Sequence, residues 1–187
     1  MTKPTTVKFN TYNTRRNLPP ETGRKRGESN FLCAFERHLL SNFFTDGYGG
    51  KHFSLSNYGV ADFVWMLPAL KKKKNNEYTI YAFEIKIKDW RRAFQQAYRY
   101  SYYSDGSFVI LTPETGEIAS RYLPLFQLHN IGLWTYDFSI DSIKKIFTPK
   151  NTFARNEDAK IRAVNAISSS LQLSKRTKKL NAVAHCV

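Results

Sequence analysis

The chain has 187 residues, 42% of them apolar and 15% aromatic, which is one domain's length and enough to bury a core, so wholesale disorder is excluded. Lys and Arg total 29 against 15 Asp and Glu; the net charge of +14 favours a polyanionic partner, nucleic acid ahead of an anionic membrane. No apolar stretch approaches the roughly 20 residues that span a bilayer, no apolar segment backs the first charges as a secretory leader requires, and Cys33 and Cys186 stand far apart, which fits a reducing cytoplasm rather than a disulfide framework or a Cys-type zinc site.

Residues 1–23, rich in Thr, Asn and Pro, read as an extended arm. From Glu28 to Phe44 the apolar positions Phe31, Leu32, Ala34, Phe35, Leu39, Leu40 and Phe43 recur at helical spacing, and Asp46-Gly47 and Gly49-Gly50 are expected to end that helix. His52–Leu55 fits a short strand, Asn57-Tyr58-Gly59 a turn, and the apolar run Val60–Leu67 a buried strand. Lys71–Asn76 reads as a solvated hairpin loop, and Tyr78–Lys88 alternates with a period of two. Asp89 is suited to cap a helix over 90–104, with Trp90, Phe94, Ala97, Tyr98 and Ser101 as its packing stripe.

A strand over Ser107–Leu111 follows, then a partly helical segment from Gly116 to His129. Strands over Gly132–Tyr136 and Ile143–Phe147 come next, then an amphipathic helix from Asn156 to Leu173 with the basic run Lys175–Lys179 beyond it. Strands separated by helices predict an α/β fold, a mixed sheet with helices on both faces. Residues 1–27 and 149–187 each carry a net +6, which leaves 28–149 with +2. The expected organisation is therefore a basic arm over 1–23, a domain over 24–148 that is near-neutral from residue 28 onward, and a C-terminal helix with a basic tail over 149–187. Such ends attract phosphate backbones without reading sequence.

Asp62 stands inside an apolar strand, where a bare carboxylate is expensive unless paired or bound to metal. Glu84 and Lys86, two apart on the next strand, share a face, with Ile85 turned to the other. A hairpin joins the strands, so the two acids can meet. Two carboxylates and the Ile85 carbonyl form an all-oxygen set of the kind Mg²⁺ prefers, and the Lys86 ammonium can orient water or offset charge building on a phosphate. The plain alternative is an ion pair of Lys86 with either acid on a solvated sheet face. On the following helix Gln96 and Tyr100 lie one turn apart and can reach the same strand ends. Arg91, Arg92 and Arg99 on that helix can touch phosphate. Some of the many aromatic rings can serve as stacking platforms for unpaired bases, although most suit core packing.

The set Gly59-Val-Ala-Asp62, Phe83-Glu84-Ile85-Lys86 and Gln96-Ala-Tyr-Arg-Tyr100 resembles the PD-(D/E)xK nuclease superfamily, its last element looking like the QxxxY of RecB-like and λ-exonuclease-like branches. The helix opening at Arg26-Gly-Glu28-Ser is similar to the first helix of small Holliday-junction resolvases. The resemblance covers about residues 24–137, and Ala61 stands where the family's name has proline. It implies a restriction-endonuclease-like three-layer α/β/α fold with a central mixed sheet. It further implies Asp62, Glu84 and the Ile85 carbonyl as metal ligands, Lys86 as the residue activating water, and Gln96 and Tyr100 completing the pocket. Glu28 would add a first-helix carboxylate, with Glu36 as the other candidate.

The expected activity is thus a Mg²⁺-dependent DNA endonuclease, with Mn²⁺ as a substitute. Arg24, Lys25, Arg26, Arg91, Arg92 and Arg99 are expected to hold DNA, and a homodimer is expected where both strands of a symmetric site are cut. Two other readings remain open: a catalytically silent subunit of the same fold in a DNA-processing complex, and an RNA-binding α/β protein whose acids are structural. The scattered histidines, the lack of GxxxxGK[ST] and the lack of Ser or Cys nucleophile signatures argue against zinc, a P-loop and covalent catalysis.

Overall fold

The alternating runs become strands of a single mixed sheet. The computed structural model describes residues 5–8, 26–43, 47–73, 76–150 and 153–170. In chain order the elements are β1 (Thr5–Lys8), α1 (Arg26–Asn42), β2 (Tyr48–Leu55), β3 (Gly59–Lys73), β4 (Asn76–Lys86) and α2 (Trp90–Tyr100). There follow β5 (Gly106–Leu111), α3 (Pro113–Ser120), α4 (Leu123–His129), β6 (Gly132–Asp137), β7 (Ser142–Phe147) and α5 (Glu157–Ser170). The seven strands lie side by side in chain order. β2, β3 and β4 form an antiparallel meander, and β7 returns antiparallel to β6. β1 beside β2, β4 beside β5 and β5 beside β6 are parallel pairs, and each is bridged by helix: α1, α2, and α3 with α4. Parallel neighbours need such crossovers because a tight turn cannot reverse the chain twice.

Period two sorts the strand side chains onto two faces. Phe63, Trp65, Phe83, Ile85, Phe108 and Ile110 pack under Phe31, Phe35 and Leu39 of α1. On the opposite face Val64, Met66, Ile80 and Ala82 meet Tyr100, Tyr103 and the α5 residues Ala159, Ala163 and Ile167. Val109, Leu111 and Leu133 meet Ala93 and Ala97 of α2, Ala119 of α3 and Phe126 of α4. The chain is therefore an α/β protein with helices on both faces of its sheet. Among the described residues no helix is long and apolar enough to cross a membrane.

Several boundaries differ from the sequence reading, each for a tertiary reason. Gly49-Gly50 does not end the first helix but lies within β2. Gly49 pairs with Trp65 on β3, and a Cβ placed on it would fall 2.1 Å from the indole ring. The missing side chain leaves room for Trp65, so Gly49→Ala should lower unfolding free energy by about 1–3 kcal/mol in equilibrium urea denaturation. β3 and β4 run on to pair Lys73 with Asn76, so most of the expected lysine-rich loop over 71–76 is strand, and residues 74–75 lie outside the described residues.

The buried stripe of α2 is Trp90, Ala93, Ala97 and Tyr100, not the stripe through Phe94 and Tyr98. Two alanines allow close approach to β5, and the larger Phe94 and Tyr98 are left at the margin against Phe126 and His129. Asp89 does cap this helix, accepting from the Arg92 amide, but the helix stops at Tyr100 rather than at 104. The segment expected from Gly116 splits into α3 and α4, and starts earlier, with Thr112 as N-cap. Lys160, counted with the basic C-terminal segment, is 3% exposed and pairs at 2.8 Å with Asp105, whose other oxygen accepts from the Ile80 amide. The helix α5 thus belongs to the core. Residues 171–187, with their basic run, lie outside the described residues, and part of the N-terminal arm supplies β1.

Candidate functional site

The β3–β4 hairpin sets the site. Phe63 pairs with Phe83 and Val64 with Ala82, and one further step of that register brings Asp62 opposite Glu84. Both side chains leave the sheet on the α2 side, while Ile85 packs under α1. They are 3% and 1% exposed. The Ile85 amide donates to Asp62 Oδ2 at 2.9 Å, which fixes one carboxylate oxygen against the neighbouring strand. Lys86 Nζ donates to Glu84 Oε1 at 2.5 Å and to the Ile85 carbonyl at 3.2 Å, and lies 3.6 Å from Asp62 Oδ2. The two acids and the carbonyl therefore converge on one positive centre.

Tyr100, carried into the core by the inner stripe of α2, closes the other side. Its hydroxyl lies 2.7 Å from Glu84 Oε2 and 2.6 Å from the Val60 carbonyl. One proton cannot serve both acceptors. The hydroxyl donates to Glu84 when that group is ionised, and to Val60 when Glu84 carries its own proton and donates to Tyr100. Burial, reinforced by the Asp62 charge, pushes the Glu84 carboxyl up to about 8, against the pull of Lys86 and the Tyr100 hydrogen bond. Burial alone would lower the Lys86 pKa, but the charges of Glu84 and Asp62, the hydrogen bond to Glu84 and the charge of Glu28 hold it above its ordinary value. The phenols of Tyr100 and Tyr103 are raised well above theirs by burial and the Glu84 charge, so both stay neutral.

The two first-helix acids have different surroundings. Gly27 lies against Ile87 just beyond β4, a Cβ on it reaching 3.5 Å from the Ile87 Cδ1, and the charge of adjacent Glu28 acts on Lys86. Glu36 is instead 7% exposed and pairs with Lys51 of β2 at 2.9 Å. Gln96, half-buried one turn before Tyr100, makes no hydrogen bond to Asp62, Glu84 or Lys86, and its buried Oε1 has no hydrogen-bond partner among the described residues. Arg91, Arg92 and Arg99 are exposed along α2; the Arg91 guanidinium lies 4.7 Å from the Trp90 ring centre. Arg24 and Lys25 fall outside the described residues; Arg26 opens α1, its side chain likewise outside them.

Among the described residues no three His, Cys, Asp or Glu side chains cluster as a ready-made metal cage. Two carboxylates and a carbonyl fit Mg²⁺ or Mn²⁺, which keep several waters and complete their shell with substrate phosphate. The place where those oxygens converge already holds a cation in the Lys86 ammonium. Reading the sequence missed the backbone partners, the Ile85 amide and the Val60 carbonyl, because main-chain groups carry no sequence signal. It also missed Tyr103, whose buried hydroxyl has no hydrogen-bond partner among the described residues and which feels the Glu84 charge. No family model matches the chain, and no curated protein or solved structure is significantly similar to it.

Proposed function

We propose that the chain is a divalent-metal-dependent DNA endonuclease of the restriction-endonuclease-like class. The convergence of Asp62 Oδ2, Glu84 Oε1 and the Ile85 carbonyl beside the Lys86 ammonium carries this reading. Asp62, Glu84 and the Ile85 carbonyl would hold the cation, which when bound polarises a phosphoryl oxygen and lowers the pKa of a bound water. The chain's own part is positioning. The Ile85 amide fixes Asp62, and Tyr100 orients Glu84 and receives or supplies the hydrogen bond as that acid changes charge. Lys86 keeps its proton and offsets negative charge building on the phosphate. Exposed Arg91, Arg92 and Arg99, with the basic chain ends, supply affinity for phosphate without reading bases.

Supercoiled plasmid incubated with the purified chain tests the proposal. Nicked and linear products are expected with Mg²⁺ or Mn²⁺ and none with EDTA. Asp62→Asn should remove the product and leave DNA binding within several-fold, since that carboxylate holds metal rather than the duplex. No metal-dependent product from any DNA form would overturn the proposal in favour of a silent DNA-binding subunit.

A further inference from the structure

The turn between β2 and β3 and the outer side of α2 enclose a groove of about 630 Å³ that the acids do not line. Tyr58 and Tyr102 stack on one another there, ring centres 5.7 Å apart and planes 26° from parallel. Tyr98 meets Tyr102 edge-on at 6.0 Å, and the Arg155 guanidinium lies 4.8 Å from the Tyr98 ring centre. Arg99, Asn57 and Gln95 complete the lining used here. All three tyrosines are half-buried, so part of each ring stays open to solvent.

The groove and the acid site draw on neighbouring positions of the same two segments. Tyr58 precedes by two residues Val60, whose carbonyl accepts from Tyr100, and Arg99 is the neighbour of Tyr100 on α2. The groove thus flanks the start of β3 and the last turn of α2, the segments that carry Val60 and Tyr100. The chemistry of an occupant follows from the walls. Open aromatic rings select a flat ring, side-chain amides match the polar edge of a heterocycle, and guanidiniums select an attached phosphate. A base inside a duplex is stacked on its neighbours and cannot enter such a groove unless it is extruded.

We propose that this groove stacks an unpaired base of a DNA strand, so that the substrate carries single-stranded character, as an overhang, fork or flap does, rather than being uniform duplex. The identity of that strand as substrate rests on the nuclease reading above, while the binding itself does not. The test uses the full chain in EDTA, so nothing is cut, with fluorescein-labelled single-stranded DNA and the matching blunt duplex compared by anisotropy at one salt concentration. Tyr102→Leu should weaken single-strand binding about tenfold and change duplex binding less than about twofold, while Tyr102→Phe, which keeps the ring, should retain both.

An unchanged single-strand affinity in Tyr102→Leu, or an equal loss for both DNA forms, would overturn the proposal. So would an abasic strand competing as well as the intact one, since charge alone would then explain the attraction. A chain that cuts DNA but shows no Tyr102 effect refutes the groove only. A chain that never cuts but loses single-strand affinity in Tyr102→Leu refutes the nuclease only.

Discussion

Lys86→Ala should slow Mg²⁺-dependent cleavage about 10²–10³-fold, the usual cost of removing one preorganised charge from a developing oxyanion, while DNA affinity stays within several-fold. The side chain is positioned for this: its ammonium sits at the centre of the acid pair and is held above its ordinary pKa, so it is charged whenever the protein is folded at neutral pH. On the proposed reading, exposed arginines and the basic ends would supply the charge that holds DNA, and one interior lysine would add little to it. The same substitution should leave divalent-cation binding intact or tighten it, because the ammonium no longer competes for Glu84 Oε1 and the Ile85 carbonyl. Titration calorimetry with Mn²⁺ in the absence of DNA reads that directly. A variant that cuts at the wild-type rate would remove Lys86 from the mechanism. One that loses both cation binding and cleavage would mean that the lysine builds the site rather than acting in it.

A buried pair that loses one partner ordinarily costs about 3–5 kcal/mol, because the charge left behind is uncompensated. Here the loss should be smaller, since Glu84 already tends to neutralise itself by taking a proton. Lys86→Met, which keeps the stem packed, should retain most of the remaining stability and be as inactive as Lys86→Ala. That separates the missing charge from the missing volume.

The acid pair was legible because its signals are local. Asp62 is out of place in an apolar strand, Glu84 and Lys86 sit at the strand period, and a hairpin fixes which of their neighbours meet. From α1 onward the helix and strand order was legible for the same reason, save that α3 and α4 read as one segment, while β1 was hidden in the N-terminal arm. What was hidden depends on partners distant in the chain. Gly49 reads as a helix stop until Trp65 is seen to need its space. Lys160 reads as one more basic charge until Asp105 is found across 55 residues. The rotation of α2 is set by how closely Ala93 and Ala97 approach the sheet. That rotation makes Tyr100 part of the core and of the site at once, and leaves Phe94 and Tyr98 at the margin. Glu28 and Glu36 both suit a helical wheel, and the local pattern does not show that Glu36 pairs with Lys51 of β2 while the charge of Glu28 acts on Lys86. The tyrosine groove could not be anticipated because its members come from a turn and a helix whose packing the local pattern does not encode.

In EDTA, the protein should become less stable as pH rises from about 5 to about 8, and Glu84→Gln should abolish that trend. The Glu84 carboxyl is pushed from an ordinary 4.5 up to about 8 in the folded chain, by burial first and the Asp62 charge second. Between those values the folded protein holds a proton that the unfolded chain has released, so unfolding free energy falls with rising pH. The contribution is complete below the unfolded value and lost as pH passes the folded one. The charged and titratable groups facing Glu84 are Asp62, Lys86, Tyr100 and Tyr103. Lys86 and both tyrosines are held above their ordinary values and change charge above this window. A neutral glutamine needs no proton to be buried and can still donate to Tyr100 and accept from Lys86. Near pH 8.5 the variant should therefore be the more stable protein by a few kcal/mol, read as a higher Tm by calorimetry. It should also bind no Mn²⁺ and cut nothing. A wild-type Tm that is flat from about pH 5 to 8, or a Gln variant less stable at the upper end, would mean that Lys86 keeps Glu84 ionised throughout. With the expected result, the fold retains an acid that it would hold more cheaply as an amide. On the proposed reading, a divalent cation that takes only the ionised form would supply the physical reason for keeping it.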